Sequence, residues 1–261
     1  PESARWASVC TPTTSHHETA LPLLSDGVHV VVEKPVAAAL DDAQRLADAG
    51  PGRCFVAHTC RAEATTIAAL AAASDALARA EIHAVHVERF ERHRPLPAET
   101  PSVAEHGRLL DVLVHDISAV LDALPSATPS EVTARWDDEN KRFSATWRWP
   151  SVTLVSVQHR RADYSARSVE LAGAGAKWGW YLAPGTRGVW RSADDTPVEL
   201  EVSWQDPTTT LLAEAHAAVA QQRTSYIDAH HGVRAMQLAA EALSALPAAT
   251  FSGPFRWDYV R

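Results

Sequence analysis

The first 58 residues alternate between apolar segments and segments with helical periodicity. The apolar segments lie at residues 4–10, 28–32 and 53–58. The first is predicted to be a buried strand, and the second is a valine-rich run without polar alternation, which is typical of a strand covered on both faces. The intervening segments, residues 15–27 and 39–50, each end in glycine, as helices commonly do. Strand–helix–strand–helix–strand at this spacing predicts βαβ units and a parallel sheet.

The first predicted helix has a recognisable start. Ser15 and Glu18 have the S-x-x-E spacing of a capping box, in which each side chain bonds to a backbone amide at the helix N-terminus. Pro22 lies inside the same segment and is expected to kink the helix, because proline lacks the amide hydrogen that a helix interior needs.

The pattern changes after residue 61. An alanine-rich helical segment and an alternating, strand-like segment are followed by a strongly apolar helix at residues 107–124. From residue 131 to residue 204, short strand-like runs separated by turn residues predict an antiparallel sheet, and two helices close the chain. We therefore predict an α/β plus α+β protein. Residues 1–60 form an incomplete parallel sheet, and residues 61–261 form an α/β domain with a large, mostly antiparallel open sheet.

Composition excludes several classes of partner. The 261 residues carry a formal charge of −8 without a basic run, which argues against nucleic acid and anionic membranes. The longest apolar runs are too short to span a bilayer. Three cysteines outside any CxxC pair indicate a reducing compartment, so a cytoplasmic location is expected. The histidine pairs lack the spacing of metal ligands, and no metal site is predicted.

Seven of the nine tryptophans lie between Trp136 and Trp204. The pairs Trp147/Trp149 and Trp178/Trp180 are each spaced by two residues, so the members of a pair share one face of a strand. The favoured interpretation is packing in the core or at a subunit interface. The alternative is an aromatic platform for a sugar ring.

Lys34 follows the second predicted strand in the triplet Glu33-Lys34-Pro35. It therefore lies at the carboxyl end of a parallel strand, where open α/β sheets bind ligands. A lysine held there can transfer a proton to or from a substrate hydroxyl. The alternative is a solvated lysine at a strand end.

Asp111 and His115 are four residues apart on the apolar helix and share a face. A carboxylate beside an imidazole can orient the ring, and the pair is a candidate general acid/base unit or a purely structural contact. Asp116, about 100° further round the helix, could cap or support the pair. A basic cluster could meet a phosphate or carboxylate, although a solvated edge is the favoured interpretation; its members are Arg89, Arg92, His93 and Arg94.

Two motifs, which follow one another along the chain, resemble motifs of the Gfo/Idh/MocA family. This family includes glucose–fructose oxidoreductase and inositol dehydrogenase. The first is a strand, T-P-x-x-x-H, a helix and a strand ending in E-K-P, matched by Thr11, Pro12, His16, Glu33, Lys34 and Pro35. The second is the helix G-x-x-x-D-x-x-x-H-D-I, matched by Gly107, Asp111, His115 and Asp116. The resemblance extends from about residue 4 to residue 246.

The resemblance implies a Rossmann domain, an open-sheet domain that assembles into a homo-dimer or tetramer, and NAD(P)-dependent chemistry on a carbinol carbon of a sugar or cyclitol. Lys34 would contact nicotinamide and the small-molecule substrate, His115 would be the acid/base, and Asp111 would orient it. Further residues would line the cofactor: Thr11, Pro12, His16, Glu33 and Arg61. Arg61 matches an arginine after the next strand, although the proline that usually follows it is absent.

The family pattern begins with a strand and a G-x-G-x-x-G loop, which this sequence does not contain. The expectation is that the first two βα units are missing, together with the residue that separates NAD from NADP. Three hypotheses remain open. The chain is an NAD(P)-dependent oxidoreductase whose cofactor half is rebuilt or supplied by a partner chain covering the exposed strands. Alternatively, it is a cofactor-free lyase, epimerase or cyclase, or it is a non-catalytic subunit.

Overall fold

A computed structural model describes residues 5–92, 101–193, 196–247 and 250. The N-terminal part contains a parallel sheet in the order β1-β2-β3. Its strands are β1 (Trp6–Val9), β2 (His29–Val32) and β3 (Cys54–Val56). They are connected by α1 (His16–Ser25) and α2 (Leu40–Ala49). The predicted βαβ units and the parallel sheet are confirmed.

The central strand is β2, whose Val30, Val31 and Val32 are all buried, as the unbroken valine run predicted. The prediction of a buried first strand is wrong, because three of the four residues of β1 are at least partly exposed and, among the described residues, β1 pairs with β2 alone. The indole of Trp6 nevertheless covers Phe55, with ring centroids 5.9 Å apart.

The predicted capping box at α1 does not form. Ser15 Oγ instead donates to the carbonyl oxygen of Pro12, 2.9 Å away, and a 3₁₀ turn at Thr13–Ser15 precedes the helix. The backbone of Ser15, with φ of −108° and ψ of 0°, lies outside the extended region that an N-cap residue typically adopts. Gly27 ends the helix region as predicted, with a φ of +77° that favours glycine.

The larger sheet has eight strands in the order β11-β10-β9-β8-β4-β7-β6-β5. Its central strand, β4, pairs in parallel with β7, and every other pair is antiparallel. The predicted large, mostly antiparallel sheet is confirmed. Its strands are β4 (Ile82–Arg92), β5 (Glu131–Asp137), β6 (Arg142–Arg148), β7 (Thr153–Ala162), β8 (Ala166–Gly173), β9 (Ala176–Ala183), β10 (Thr186–Ala193) and β11 (Thr196–Leu200).

The helices of this part are α3 (Thr59–Ala62), α4 (Ala64–Ala72), α5 (Ser74–Ala78), α6 (Pro101–Val120), α7 (Pro207–Ala220) and α8 (Ala229–Ser244). The sequence predicted one alanine-rich helix after residue 61. The structure divides this segment into α4 and α5 at Ala73, and the short helix α3 before it was not predicted. Between α3 and α4, the backbone of Glu63 is extended and its carboxylate accepts a hydrogen bond from Arg167 of β8.

One face of the large sheet forms the core beneath α6 and α8. Trp147 and Trp180 are almost completely buried there, and Trp147 Nε1 donates to the carbonyl oxygen of Leu238 in α8 at 2.9 Å. These contacts support the core interpretation of the tryptophan pairs. None of the helices described is long and apolar enough to cross a membrane.

Candidate active site

The end of β2 and the middle of α6 meet at Lys34. The Nζ of Lys34 donates a hydrogen bond to Oδ1 of Asp111, across 77 residues of sequence. The lysine side chain is 17% exposed and the aspartate side chain 40% exposed, so the ion pair is partly open to solvent. The structure thus brings together two of the three predicted catalytic residues.

His115 lies one turn further along α6. Its Nδ1 is 3.1 Å from Sγ of Cys60, the second residue of α3. The sequence suggested that Asp111 orients this ring. In the structure the carboxylate bonds to the ammonium of Lys34, and the imidazole bonds to the thiol of Cys60. The ammonium is the stronger partner for a carboxylate, because both groups carry a charge.

The surroundings of His115 keep the imidazole neutral. Burial lowers its pKa well below the ordinary value of 6.5, and the positive charges of Lys34 and Arg89, together with His58, lower it further. A neutral imidazole at neutral pH is able to accept a proton, which is what a general base requires.

His58 is a site residue that sequence reasoning missed. It lies two residues after the end of β3 and is completely buried, and its ring centroid lies 6.4 Å from that of His115 in an edge-to-face arrangement. Burial, Arg61, Lys34 and His231 lower its pKa to about 3. Neither ring nitrogen has a hydrogen-bond partner among the described residues. Its position after a parallel strand, on the same edge as Lys34, was the available signal.

Arg61 is buried and connects α3 to the end of α6. Its Nη1 donates to the carbonyl oxygen of Ser118 at 2.5 Å, and its Nη2 lies 2.9 and 3.0 Å from the two carboxylate oxygens of Asp122. The guanidinium also lies 5.6 Å from the ring centre of Tyr226. These contacts hold α3 in place, and the contact of Arg61 with a cofactor stays a prediction.

The remaining residues predicted to line the cofactor lie at the carboxyl edge of the parallel sheet. Thr11, Pro12 and Glu33 are exposed there. His16 is buried, with Nδ1 3.0 Å from the carbonyl oxygen of Pro35 and Nε2 2.8 Å from that of Thr11. His16 therefore joins the loops that follow β1 and β2, and it shapes this edge rather than facing solvent.

Arg89 forms an internal ion pair with Asp116. Its Nε lies 2.9 and 3.0 Å from the carboxylate oxygens of Asp116, which is completely buried on α6. Asp116 therefore supports the site by fastening α6 to β4. Arg92 Nε donates to the carbonyl oxygen of Asp163 at 3.2 Å, whereas His93 and Arg94 lie outside the described residues.

Two adjoining cavities lie beside the ends of β8 and β9. The smaller, about 350 Å³, is lined by residues that include Glu63, Arg89 and Arg167. The larger, about 560 Å³, shares Glu63 and is bordered by Trp204. Arg167 lines the smaller cavity and also contacts the thiol of Cys60, so this cavity lies next to α3.

Residues 1–57 match the sequence pattern of the Gfo/Idh/MocA family, described as an oxidoreductase family with an NAD-binding Rossmann fold. The chain resembles the Gfo/Idh/MocA oxidoreductases, as predicted. The matched residues include the parallel sheet, Lys34 and the loop that follows the first strand. No curated protein sequence matches the chain.

Solved structures share the fold over most of the chain. UDP-N-acetylglucosamine 3-dehydrogenase from Acidithiobacillus ferrooxidans has 19% identity and a TM-score of 0.76, covering 92% of this chain and 78% of that protein. An inositol dehydrogenase homolog from Azotobacter vinelandii, complexed with NADH and myo-inositol, has 16% identity and a TM-score of 0.75, covering 94% and 76%. Aldose-aldose oxidoreductase from Caulobacter crescentus, complexed with glycerol, has 16% identity and a TM-score of 0.72, covering 92% and 76%. These similarities confirm the predicted two-part α/β fold.

A nicotinamide cofactor is implied by the family match, and the residues present fit its reacting end. Lys34 supplies a cationic donor at the carboxyl edge of the parallel sheet, and the buried ring nitrogens of His58 are unpartnered among the described residues. His115 supplies a neutral imidazole beside them. The sequence holds no G-x-G-x-x-G loop, and we assign no residue to the pyrophosphate.

Proposed function

We propose that this protein is an NAD(P)-dependent oxidoreductase that acts on a hydroxyl or carbonyl carbon of a sugar, cyclitol or related small molecule. One observation carries the proposal. The Lys34–Asp111 ion pair lies one helical turn from the neutral imidazole of His115, at the carboxyl edge of a parallel sheet that matches an NAD-binding family.

The side chains divide the proton chemistry between them. NAD(P), when bound, supplies the hydride acceptor or donor. In the oxidation direction, His115 takes the proton from the substrate hydroxyl. Lys34 donates a hydrogen bond to the same oxygen and stabilises the negative charge that develops on it. Asp111 holds the ammonium group in place through their hydrogen bond.

The support for a hydroxylated substrate comes from the names of the structural neighbours. The structural neighbours include proteins named for UDP-N-acetylglucosamine, inositol and aldose substrates.

We also propose that the protein assembles as a homo-dimer or tetramer through the open face of the eight-stranded sheet. This face, opposite α6 and α8, carries partly exposed apolar side chains such as Val155 and Trp190. A mixture of aromatic and aliphatic groups on an otherwise polar sheet face is typical of an interface. A partner chain over the parallel sheet is the second possible assembly.

The first experiment is a titration of the purified chain with NADH and NADPH, following energy transfer from tryptophan to nicotinamide. Saturable binding at micromolar concentrations supports the proposal, and a panel of polyols, aldoses and nucleotide sugars then tests hydride transfer. Absence of binding up to millimolar cofactor contradicts it. That outcome would favour a redox-neutral proton-transfer enzyme using the same three side chains, or a non-catalytic subunit.

A further inference from the structure

The sulfur of Cys60 lies in a closely defined polar environment between α3 and α6. Cys60 is only 1% exposed, so its thiol faces protein rather than substrate. The sulfur is 3.0 Å from the carbonyl oxygen of His115 and 3.0 Å from Oγ of Ser118. It is also 3.1 Å from Nδ1 of the His115 ring. The hydroxyl of Ser118 lies 2.8 Å from the same carbonyl oxygen.

The available hydrogens, one on the thiol and one on the Ser118 hydroxyl, determine which group donates in each of these contacts. Both sulfur–oxygen distances are shorter than van der Waals contact, so a hydrogen is needed in this triangle. If the thiol donates to the carbonyl oxygen, the Ser118 hydroxyl donates to sulfur. If the thiol donates to Ser118, the hydroxyl donates to the carbonyl oxygen. The single thiol hydrogen goes to an oxygen in both arrangements.

The hydrogen between the sulfur and the imidazole must therefore come from the ring. The contact of Cys60 with Arg167, another donor, agrees with a sulfur that accepts. A neutral imidazole carries one N–H, and the hydrogen bond made by one nitrogen decides which nitrogen holds it. We propose that Cys60 is a positioning residue that accepts a hydrogen bond from Nδ1 of His115 and leaves Nε2 as the proton-accepting atom.

The catalytic meaning of this inference rests on the proposed function. A general base works only if its lone pair is on the nitrogen that faces the substrate hydroxyl. If the Cys60 sulfur no longer accepts from Nδ1, the proton can move to Nε2, and the two ring nitrogens then exchange their roles. Outer partners of functional histidines at metal sites typically contribute about 10- to 100-fold in activity, and we expect a decrease in kcat of that order when the sulfur is removed.

The test reads the tautomer directly by ¹⁵N NMR of histidine-labelled protein at pH 7.5. The His115 signals are identified by their loss in His115→Gln. We expect Nδ1 to carry the proton in the wild type and in Cys60→Ser, whose hydroxyl oxygen can also accept. In Cys60→Ala we expect the proton to move toward Nε2. The matched control is Cys54→Ala, which removes a completely buried thiol of β3 and should leave the His115 tautomer unchanged.

A wild-type His115 protonated at Nε2 would overturn the proposal, and so would an unchanged tautomer in Cys60→Ala. If Cys60→Ala does not fold, the wild-type and Cys60→Ser spectra still show which ring nitrogen of His115 carries the proton. Activity is a separate measurement. A protein with the expected tautomer and without NAD(P)-dependent activity contradicts the proposed function alone, whereas an active enzyme with the opposite tautomer contradicts only the role of Cys60.

Discussion

Lys34 and His115 have complementary tasks at the scale of single residues, one as charge stabiliser and one as base. We expect Lys34→Met and His115→Gln each to lower kcat/KM by about 100-fold or more, because a positioned acid/base group contributes roughly 10²- to 10⁴-fold. Steady-state kinetics with the best substrate of the panel measures this. Under the redox-neutral alternative the same losses are expected, so the cofactor titration remains the distinguishing measurement.

Matched controls exist for both substitutions. Lys141→Met removes a lysine that pairs with Asp138, and His83→Gln removes an exposed histidine at the start of β4. Both controls should retain wild-type kinetics. A loss below tenfold in both site variants would exclude these side chains from the chemistry.

We expect His58 to make the free energy of unfolding depend on pH. Its pKa is about 3 in the folded protein and about 6.5 when unfolded, so below pH 6.5 the unfolded chain binds more protons. The stability present above pH 6.5 is then lost as the pH falls toward 3. Between pH 6.5 and pH 5 the unfolded chain binds about one more proton than the folded protein. This difference lowers the free energy of unfolding by about 2 kcal/mol at pH 5.

The measurement compares the free energy of unfolding in urea at pH 8 and pH 5, for the wild type and for His58→Met. The methionine side chain is similar in size to histidine and does not titrate. The difference between the two pH values should shrink by about 2 kcal/mol in the variant. His83→Gln should keep the wild-type difference. An equal pH dependence in His58→Met and wild type would show that His58 does not titrate on unfolding.

At the scale of elements, α3 depends on Arg61. The helix has only four residues, and Arg61 fastens it to the carbonyl oxygen of Ser118 and to Asp122 on the neighbouring segment. Breaking a buried pair costs about 3–5 kcal/mol, and the 41% exposure of the Asp122 side chain reduces this through solvent screening. We expect Arg61→Met to lower the free energy of unfolding by about 2 kcal/mol, measured by urea denaturation.

The control is Arg45→Met, which removes a 67% exposed partner of Asp42 and should change stability by less than about 0.5 kcal/mol. The same variants test the predicted cofactor contact. If Arg61→Met loses stability while the affinity for NADH is unchanged, Arg61 is a structural residue. If stability is unchanged, the ion pair does not hold α3.

At the scale of the whole molecule, the open sheet face predicts self-association. We expect sedimentation velocity to show a dimer or tetramer, and Val155→Lys on β7 to shift it toward monomer, because a buried unpaired charge opposes assembly. Ala71→Lys on α4, an exposed position away from this face, should leave the assembly unchanged. A wild-type monomer at all concentrations tested would contradict the proposed interface.

Local periodicity by itself determined most of the strands and the longer helices of this protein. The valine run of β2 and the alternating runs of the large sheet predicted strands, because side-chain spacing along one segment records which faces are covered. Family motifs then pointed to Lys34, Asp111 and His115. Where local signals failed, as at the Ser15–Glu18 capping box, the backbone conformation that Ser15 has in the fold differs from that of a typical N-cap residue.

Only the tertiary structure decided which of these groups touch. Lys34 meets Asp111 across 77 residues, and His115 meets Cys60 across 55. Likewise, the burial that keeps His58 and His115 neutral is supplied by elements distant in sequence. Periodicity reports the neighbours of a residue along its own helix or strand, whereas partner choice and pKa depend on the packing of separate elements. The chemistry of the site is therefore a property of the fold.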